Sequence, residues 1–250
     1  MIRGLYSSAT AMEAMTLRQD AIAQNLAHVN MPGYRRHVVA LESLRSPAEI
    51  LGTRGTEHTN FSAGPFITTG NPLDLALSQS GFFVLQGPGG ESLYTRNGTF
   101  WVNRLGQIVS HAKAPGDIAS TLPLLGENGP IVIPADTTNL SVRADGMVVA
   151  DGLDVDRVRV RRFRNPDKDL LRAGTTLFRT RPDVELLPVD AGPEEGGPPR
   201  DEVLAGIREG SNVNSTGQLV EMLTSLRQFE AAQRALRTLG EAIRLRTRPQ

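Results

Sequence analysis

The chain has no cysteine. Disulfides, zinc–thiolate sites, iron–sulfur clusters and thiol nucleophiles are therefore excluded. The compartment stays open, because a cysteine-free chain suits both the cytosol and an exported protein without disulfides. Lysine is nearly missing: Lys113 and Lys168 are the only two, so the positive charge is almost all arginine. Codon bias explains this, and a need for planar, bidentate pairs between subunits is the alternative. Aromatics are few, with one Trp, three Tyr and eight Phe. Net charge is zero, so no global field draws the chain to nucleic acid or to an anionic membrane. No run approaches the roughly 18 apolar residues of a membrane span, and no membrane insertion is expected. After Arg3, residues Ser7, Ser8, Thr10 and Glu13 stand where a secretory signal needs an apolar stretch. Taken alone, that reads as cytosolic.

Two apolar seams are present instead, one at each end. Leu5, Ser8, Met12, Met15, Gln19, Ile22, Leu26 and Val29 are spaced alternately three and four apart, the heptad pattern of a helix with one covered stripe. Asn30, Pro32 and Gly33 stop that helix. Leu219, Met222, Leu226, Phe229, Gln233, Leu236, Gly240 and Ile243 repeat the spacing near the C-terminus. Ser215 with Gln218 can cap the start of this second helix, predicted over 215–246. Arg244, Arg246 and Arg248 load its last turns, where cations suit the helix dipole.

Between the seams the period changes to two. Gly and Pro are plentiful, at 25 and 16, and they punctuate short alternating runs. Strands are expected at 82–85, 93–102, 107–110, 131–133, 140–142, 147–149 and 157–163. Turns are expected at Gly87-Pro88-Gly89-Gly90, Asn103–Gly106 and Asp145-Gly146, with a linker over 188–199. The division that follows is 1–43 as a helical stalk and turn, 44–203 as a β-rich domain folding on its own, and 204–250 as the second stalk helix. The fold class is α+β.

A helix with one apolar stripe is marginal in water until something covers it. Either the two stripes pair as a coiled-coil stalk completed by neighbouring copies, or both helices dock on the β-domain. The first solution makes an open helical assembly, because head-to-tail contacts that do not close a ring propagate.

Catalytic chemistry is not legible. His28, His37, His58 and His111 have no metal-ligand spacing. Ser78 replaces the first glycine a nucleophile elbow would need before Ser80-Gly81. No Lys-Ser/Thr follows the glycine-rich turn at 87–90, so it is no phosphate loop. No carboxylate pair stands out, and no cofactor, metal or enzymatic activity is expected. Arg157, Arg159 and Arg161 share one strand face. A polyanion-binding module is one other reading of that face, and a hydrolase in the β-domain another.

The terminal segments carry a resemblance. Met1-Ile2-Arg3-Gly4-Leu5-Tyr6-Ser7-Ser8-Ala9 and Asn25-Leu26-Ala27-His28-Val29-Asn30-Met31-Pro32-Gly33 are similar to the opening and signature turn of the flagellar rod and hook proteins. Thr69-Gly70-Asn71-Pro72-Leu73-Asp74, Gly81-Phe82-Phe83, Tyr94-Thr95-Arg96-Asn97-Gly98 and Glu209-Gly210-Ser211-Asn212-Val213-Asn214 match in order along the chain. The chain resembles the flagellar basal-body rod and hook-basal-body family, in its proximal-rod or distal-rod branch, with a hook or hook-junction paralogue as the alternative. His111 to Asn128, Thr216-Gly217 and 246–250 depart from the family pattern.

That resemblance implies a non-catalytic subunit whose terminal helices line the inner wall of a tube, with the β-domain as the outer layer. It implies partners that are copies of itself and other rod or hook subunits. It also implies passage through the flagellar type III export apparatus without a cleaved signal, in place of a cytosolic location. The assembly seam would be Leu5, Met12, Met15, Ile22, Leu26, Val29, Leu219, Met222, Leu226, Phe229, Leu236 and Ile243. Asn25, Asn30 and Gly33 would form the signature turn.

Overall fold

Long helices stand at the two ends of the chain and short strands fill the interval, as the change of period requires. The computed structural model describes residues 2–46, 49–110, 112, 121–182 and 202–246, with side-chain surroundings for 8–43, 53–110, 112, 121–182, 202–238 and 240. The chain opens with α1 (Ile2–Ala27), β1 (His37–Ser46), β2 (Glu49–Thr59), β3 (Phe66–Thr68), β4 (Leu75–Leu77), β5 (Phe82–Gln86) and β6 (Ser92–Thr95). There follow β7 (Phe100–Val102), β8 (Ile108–Ser110), β9 (Leu122–Pro123), β10 (Leu140–Val142), β11 (Met147–Ala150), β12 (Leu153–Arg157) and β13 (Val160–Arg161). The rest is α2 (Pro166–Asp169), β14 (Leu170–Arg172), β15 (Leu177–Thr180), β16 (Val203–Ala205), β17 (Ile207–Glu209) and α3 (Ser215–Arg246).

These elements form two compact units. The first takes Met1–Val29, Arg36–Asn60 and Val213–Gln250. Within it β1 and β2 make one long antiparallel hairpin, from His37 opposite Thr59 to Ser46 opposite Glu49, with its register shifting between Leu44 and Arg45. The sequence expectation contained no such hairpin, and its boundary at 43/44 falls inside β1. The hairpin lies against α1. A Cβ on Gly55 would stand 2.9 Å from Leu17 Cδ2 and 3.2 Å from Val39 Cγ1, so glycine permits that approach. The cap of α3 also differs from expectation. Asn214 Oδ1 accepts from the Gly217 N–H at 3.0 Å, so Asn214 caps the helix in place of Ser215. Gln218 is thereby free of capping duty.

The second unit takes Asn30–Arg35 and Phe61–Asn212. Its central sheet runs β13-β5-β6-β15-β14. Strand β5 is buried on both faces, and its alternation feeds two cores. Phe83 and Leu85 join Leu75, Leu77, Ile108, Leu124, Val148 and Leu177 in the larger. Phe82 and Val84 join Tyr94, Phe163, Leu170 and Phe178 in the smaller. There the rings meet edge to face, with centroids 4.9 Å apart for Tyr94–Phe163 and 5.7 Å for Phe82–Phe163, a favoured geometry. Each large apolar side chain buried this way contributes about 1.5–3 kcal/mol.

The turns at 87–90, 103–106 and 143–146 join strands as expected. Three expected strands are not continuous. The run 93–102 is cut into β6 and β7, which belong to different sheets. Thr95 Oγ1 accepts from the Asn97 N–H and Asn97 Oδ1 from the Thr99 N–H, both at 3.0 Å. Side chains have taken donors the ladder would use. The run 157–163 is cut likewise, its Arg159 N–H donating to Leu125 O. Residues 131–133 make only an isolated bridge, Gln107 with Val132. The chain returns at the end of the unit: β16 pairs with β4 and β17 with β3. The expected boundary at 203/204 therefore lies inside β16. The linker 188–199 and His111 lie outside the described residues.

Candidate assembly site

Alanine and small polar residues let α1 pack closely on one side. Among its described side chains, Ala14, Ala21, Ile22 and Asn25 are buried. Asn25 binds three groups: its Nδ2 donates to His37 O at 2.7 Å and to Gln218 Oε1 at 2.9 Å, and its Oδ1 accepts from the His37 N–H at 2.8 Å. One side chain thus ties α1 to the start of β1 and to the first turn of α3. Gln218 is held on its other side, donating to Glu221 at 2.9 Å.

The expected seam divides on inspection. On α1, Ile22 is buried, while Met12, Met15 and Leu26 are half-buried, as is Val29 in the turn that follows the helix. On α3 the covered stripe is Gln218, Met222, Ser225, Phe229 and Leu236, with Gln218 and Ser225 the most deeply buried. Leu219 and Leu226, expected on that same seam, are exposed, as are Val220 and Leu223. These four stand at 52%, 40%, 60% and 58% exposure. Positions 219, 223 and 226 follow the i, i+4, i+7 spacing of one helix face. Small and polar residues therefore face inward on the first turns of α3, and a run of large apolar ones faces out. Val220 and Leu223 went unread in the sequence because they flank the heptad positions. The side chains of Leu5 and Ile243 lie outside the described residues.

The signature turn is built around an ion cluster in the second unit. Gly33 has φ +67° and donates its N–H to Glu209 O at 2.8 Å. A Cβ there would stand 2.2 Å from the Asn97 backbone nitrogen. Arg35 Nη2 donates to Glu209 Oε1 at 2.6 Å, with both side chains fully buried. Burial pushes the Arg35 guanidinium below its ordinary range, while the charge and hydrogen bond of Glu209 act the other way. Arg96 Nη1 lies 3.6 Å from Glu209 Oε2. The Arg172 guanidinium stands 5.3 Å from the Tyr34 ring and 5.6 Å from that of Phe178, and donates to Arg35 O at 2.7 Å. Burial raises the Tyr34 phenol against the pull of Arg172. Asn30 is exposed. Of the signature residues, Asn25 works in the first unit and Gly33 in the second. Arg96 and Glu209 stand within motifs quoted from the sequence, but neither they nor Arg35 had a role there, since nothing local pairs residues so far apart.

The arginine face is already engaged. Arg157 pairs with Glu127 at 3.4 Å and Asp145 at 3.6 Å, and Arg159 donates to Glu127 O at 2.8 Å. A cavity of about 290 Å³ is lined by Gln86, Gly87, Pro88, Gly90, Thr121, Leu122 and Pro123, none of them titratable. His28 Nδ1 lies 2.7 Å from Gln24 O, and His37 Nε2 lies 3.4 Å from Glu57 Oε2. Among the described residues no group of three His, Asp or Glu could hold a metal, and no helix is long and apolar enough to cross a membrane.

Comparison with known proteins supplies the context for these surfaces. Residues 76–150 match the family model described as the flagellar hook protein FlgE/F/G D1 domain. Residues 204–244 match that of the flagellar basal body rod FlgEFG protein C-terminal region. The flagellar basal-body rod protein FlgF of Escherichia coli (strain K12) is 30% identical over 246 residues, covering 93% of each chain. This chain belongs to the flagellar basal-body rod protein family. Another rod protein, FlgG of Bacillus subtilis (strain 168), is 29% identical over 267 residues and 97% of each chain. FlgF of Caulobacter vibrioides is 29% identical over 245 residues, 92% of this chain and 91% of its own. As a member of the rod family, the chain is a structural component of the flagellar basal body.

Proposed function

We propose that this rod-family chain is a non-catalytic subunit that polymerises, with copies of itself and other rod and hook subunits, through its terminal helices, and so serves flagellar motility. The observation that carries the reading is the exposed run Leu219, Val220, Leu223 and Leu226 on α3. Apolar side chains aligned on one helix face favour burial by about 25 cal/mol per Å². In a family of rod proteins, a neighbouring subunit is the natural cover. The pairing of α1 and α3 as a coiled-coil stalk is part of the proposal; the Asn25–Gln218 hydrogen bond supports it by fixing their register. Passage through the flagellar type III apparatus is the proposed route out of the cytoplasm, with no membrane insertion, nucleic acid or cofactor involved.

The test is Leu223→Asp in a strain lacking the wild-type copy. The expected result is a soluble subunit with unchanged circular dichroism and no rod in electron micrographs of basal bodies. A normal rod carrying the variant would remove the exposed face of α3 from the assembly.

A further inference from the structure

The open face of α3 carries charge as well as apolar bulk. Val220 and Leu223 are exposed on it, and Arg227, Ala231, Arg234 and Thr238 continue the same line, all of them exposed. Helix α1 has an open line of its own in Ala9, Glu13, Thr16, Asp20, Gln24 and Ala27. Both lines step by three and four residues, as one helix face does. From Val220 forward to Thr238 the steps are 3, 4, 4, 3 and 4, and from Ala27 back to Ala9 they are the same. Laid antiparallel, the two faces therefore match position for position. Val220 falls on Ala27, Leu223 beside Ala23 and Gln24, Arg227 on Asp20, Ala231 on Thr16 and Arg234 on Glu13. Each arginine meets a carboxylate, and the bulky apolar side chains meet small ones.

The matching face does not come from the same copy. Within one subunit α1 meets α3 by its other side, through Asn25 and Gln218. The last turn of α1 there touches the first turn of α3, and the covered stripe of α3 runs on to Phe229 and Leu236. The two helices of one subunit therefore run antiparallel. Copies added in one orientation keep each α3 antiparallel to the α1 of a neighbour. The charges are also available. Among the described residues, Glu13, Asp20 and Arg227 have no ion-pair partner within the subunit. Arg234 lies 3.8 Å from Glu230, with side chains 76% and 66% exposed, a surface pair too weak to withhold it from a second carboxylate.

We infer that the open face of α3 docks on the open face of α1 of a second copy of this chain, with Arg227 against Asp20 and Arg234 against Glu13. The inference rests on the proposed function, which supplies the assembly in which copies meet. Apolar contact drives the docking, and the two charge pairs fix its register, where an apolar seam alone would let the helices slide. Arginine suits that task, because its planar fork binds both oxygens of a carboxylate. The face is used head to tail: each copy offers α3 to one neighbour and α1 to another, so the contact repeats without closing on itself.

The experiment uses the full chain in a strain lacking the wild-type copy, with rods counted in electron micrographs of basal bodies. Asp20→Arg and Arg227→Asp each place like charges face to face, and each should lower the number of rods at least about tenfold. The double variant restores the pair in reverse and should recover rods to within about threefold of wild type. A second readout uses the absence of cysteine. Thr16→Cys and Ala231→Cys in one chain should give, on oxidation of isolated basal bodies, a ladder of disulfide-linked copies, because a disulfide needs Cα atoms within about 7 Å. Either single cysteine should give no ladder. Normal rods in both single charge variants, or no recovery in the double, would overturn the inference. Rods of the double-cysteine chain without a ladder would overturn it too, and would assign the stripe to a different subunit. If Leu223→Asp abolishes rods while the charge variants build them normally, the proposed function stands and this pairing fails. Normal rods in Leu223→Asp would remove both.

Discussion

The side chains of Asn25 and Gln218, 193 residues apart in the chain, meet in a buried hydrogen bond of 2.9 Å. The same amide holds both backbone groups of His37, so one residue coordinates three elements. Asn25→Asp replaces the donating nitrogen with a charged acceptor that faces His37 O and Gln218 Oε1. The expected cost is about 3 kcal/mol. Thermal unfolding followed by helical circular dichroism should show the midpoint falling in Asn25→Asp by more than in Asn25→Ala. Equal midpoints in all three proteins would mean that this amide does not organise the unit.

Gly33→Ala should damage the second unit. The residue sits in the left-handed region, and the atoms an added Cβ would meet are backbone atoms of Arg96 and Asn97. Neither can step aside as a side-chain tip could. The left-handed penalty alone is about 1–2 kcal/mol, and the clash adds to it. Trp101, the one tryptophan, lies in this unit at 38% exposure. Its fluorescence in a denaturant titration should show a loss of more than about 2 kcal/mol. A loss below about 0.5 kcal/mol would show that the turn relaxes freely.

What was legible in the sequence was what periodicity encodes. The spacing of Leu219 through Ile243 gave a helix over 215–246, and α3 spans Ser215–Arg246. Turns built on Gly90, Gly106 and Gly146 fell where positive φ calls for glycine. The rest depends on partners that spacing does not name. The β1–β2 hairpin is long but lacks a strict alternation, and it exists against α1. The cut between β6 and β7 depends on Thr95 and Asn97 capturing backbone donors. The division of the α3 seam depends on which helix face is covered: Gln218, which meets Asn25 of α1, and Ser225 are buried although Leu219 and Leu226 are more apolar. Glu209 carried no role in the sequence because the two arginines beside it, Arg35 and Arg96, lie far back along the chain.

The units themselves predict which fragments stand alone. A fragment of residues 44–203 contains the strands of the central sheet but lacks Gly33, Arg35 and all of β17 with Glu209. Arg96 would then stand without the carboxylate it pairs with, and β3 without its partner strand. A fragment of residues 30–212 keeps them all. The longer fragment should unfold cooperatively by Trp101 fluorescence and circular dichroism together, and the shorter should give no cooperative transition. A sharp, coincident transition in 44–203 would show that the two strand pairs and the buried ion cluster are dispensable.

The two faces of α3 should separate folding from assembly. Phe229 lies on the covered stripe and Leu226 on the open one, three residues before it. An aspartate at 229 places a carboxylate in a half-buried apolar setting within the subunit, so Phe229→Asp should lower the stability of the isolated protein by about 2–4 kcal/mol. An aspartate at 226 meets water while the subunit is free. Leu226→Asp should therefore leave the unfolding of the monomer within about 0.5 kcal/mol of wild type, as surface changes generally do. Its cost appears only when a neighbour covers the stripe and the charge is desolvated without a partner, about 3 kcal/mol at each contact. In a polymer that penalty recurs at every subunit, so a modest single-contact cost suffices to prevent growth. Denaturant unfolding of the purified subunit and electron microscopy of basal bodies measure the two effects independently. The expected pattern is a stable Leu226→Asp subunit that builds no rod, beside a destabilised Phe229→Asp subunit. If Leu226→Asp unfolds as readily as Phe229→Asp, the stripe is an internal face. If Leu226→Asp builds rods of normal length, the stripe faces solvent in the assembled rod and the subunit contacts lie on another surface.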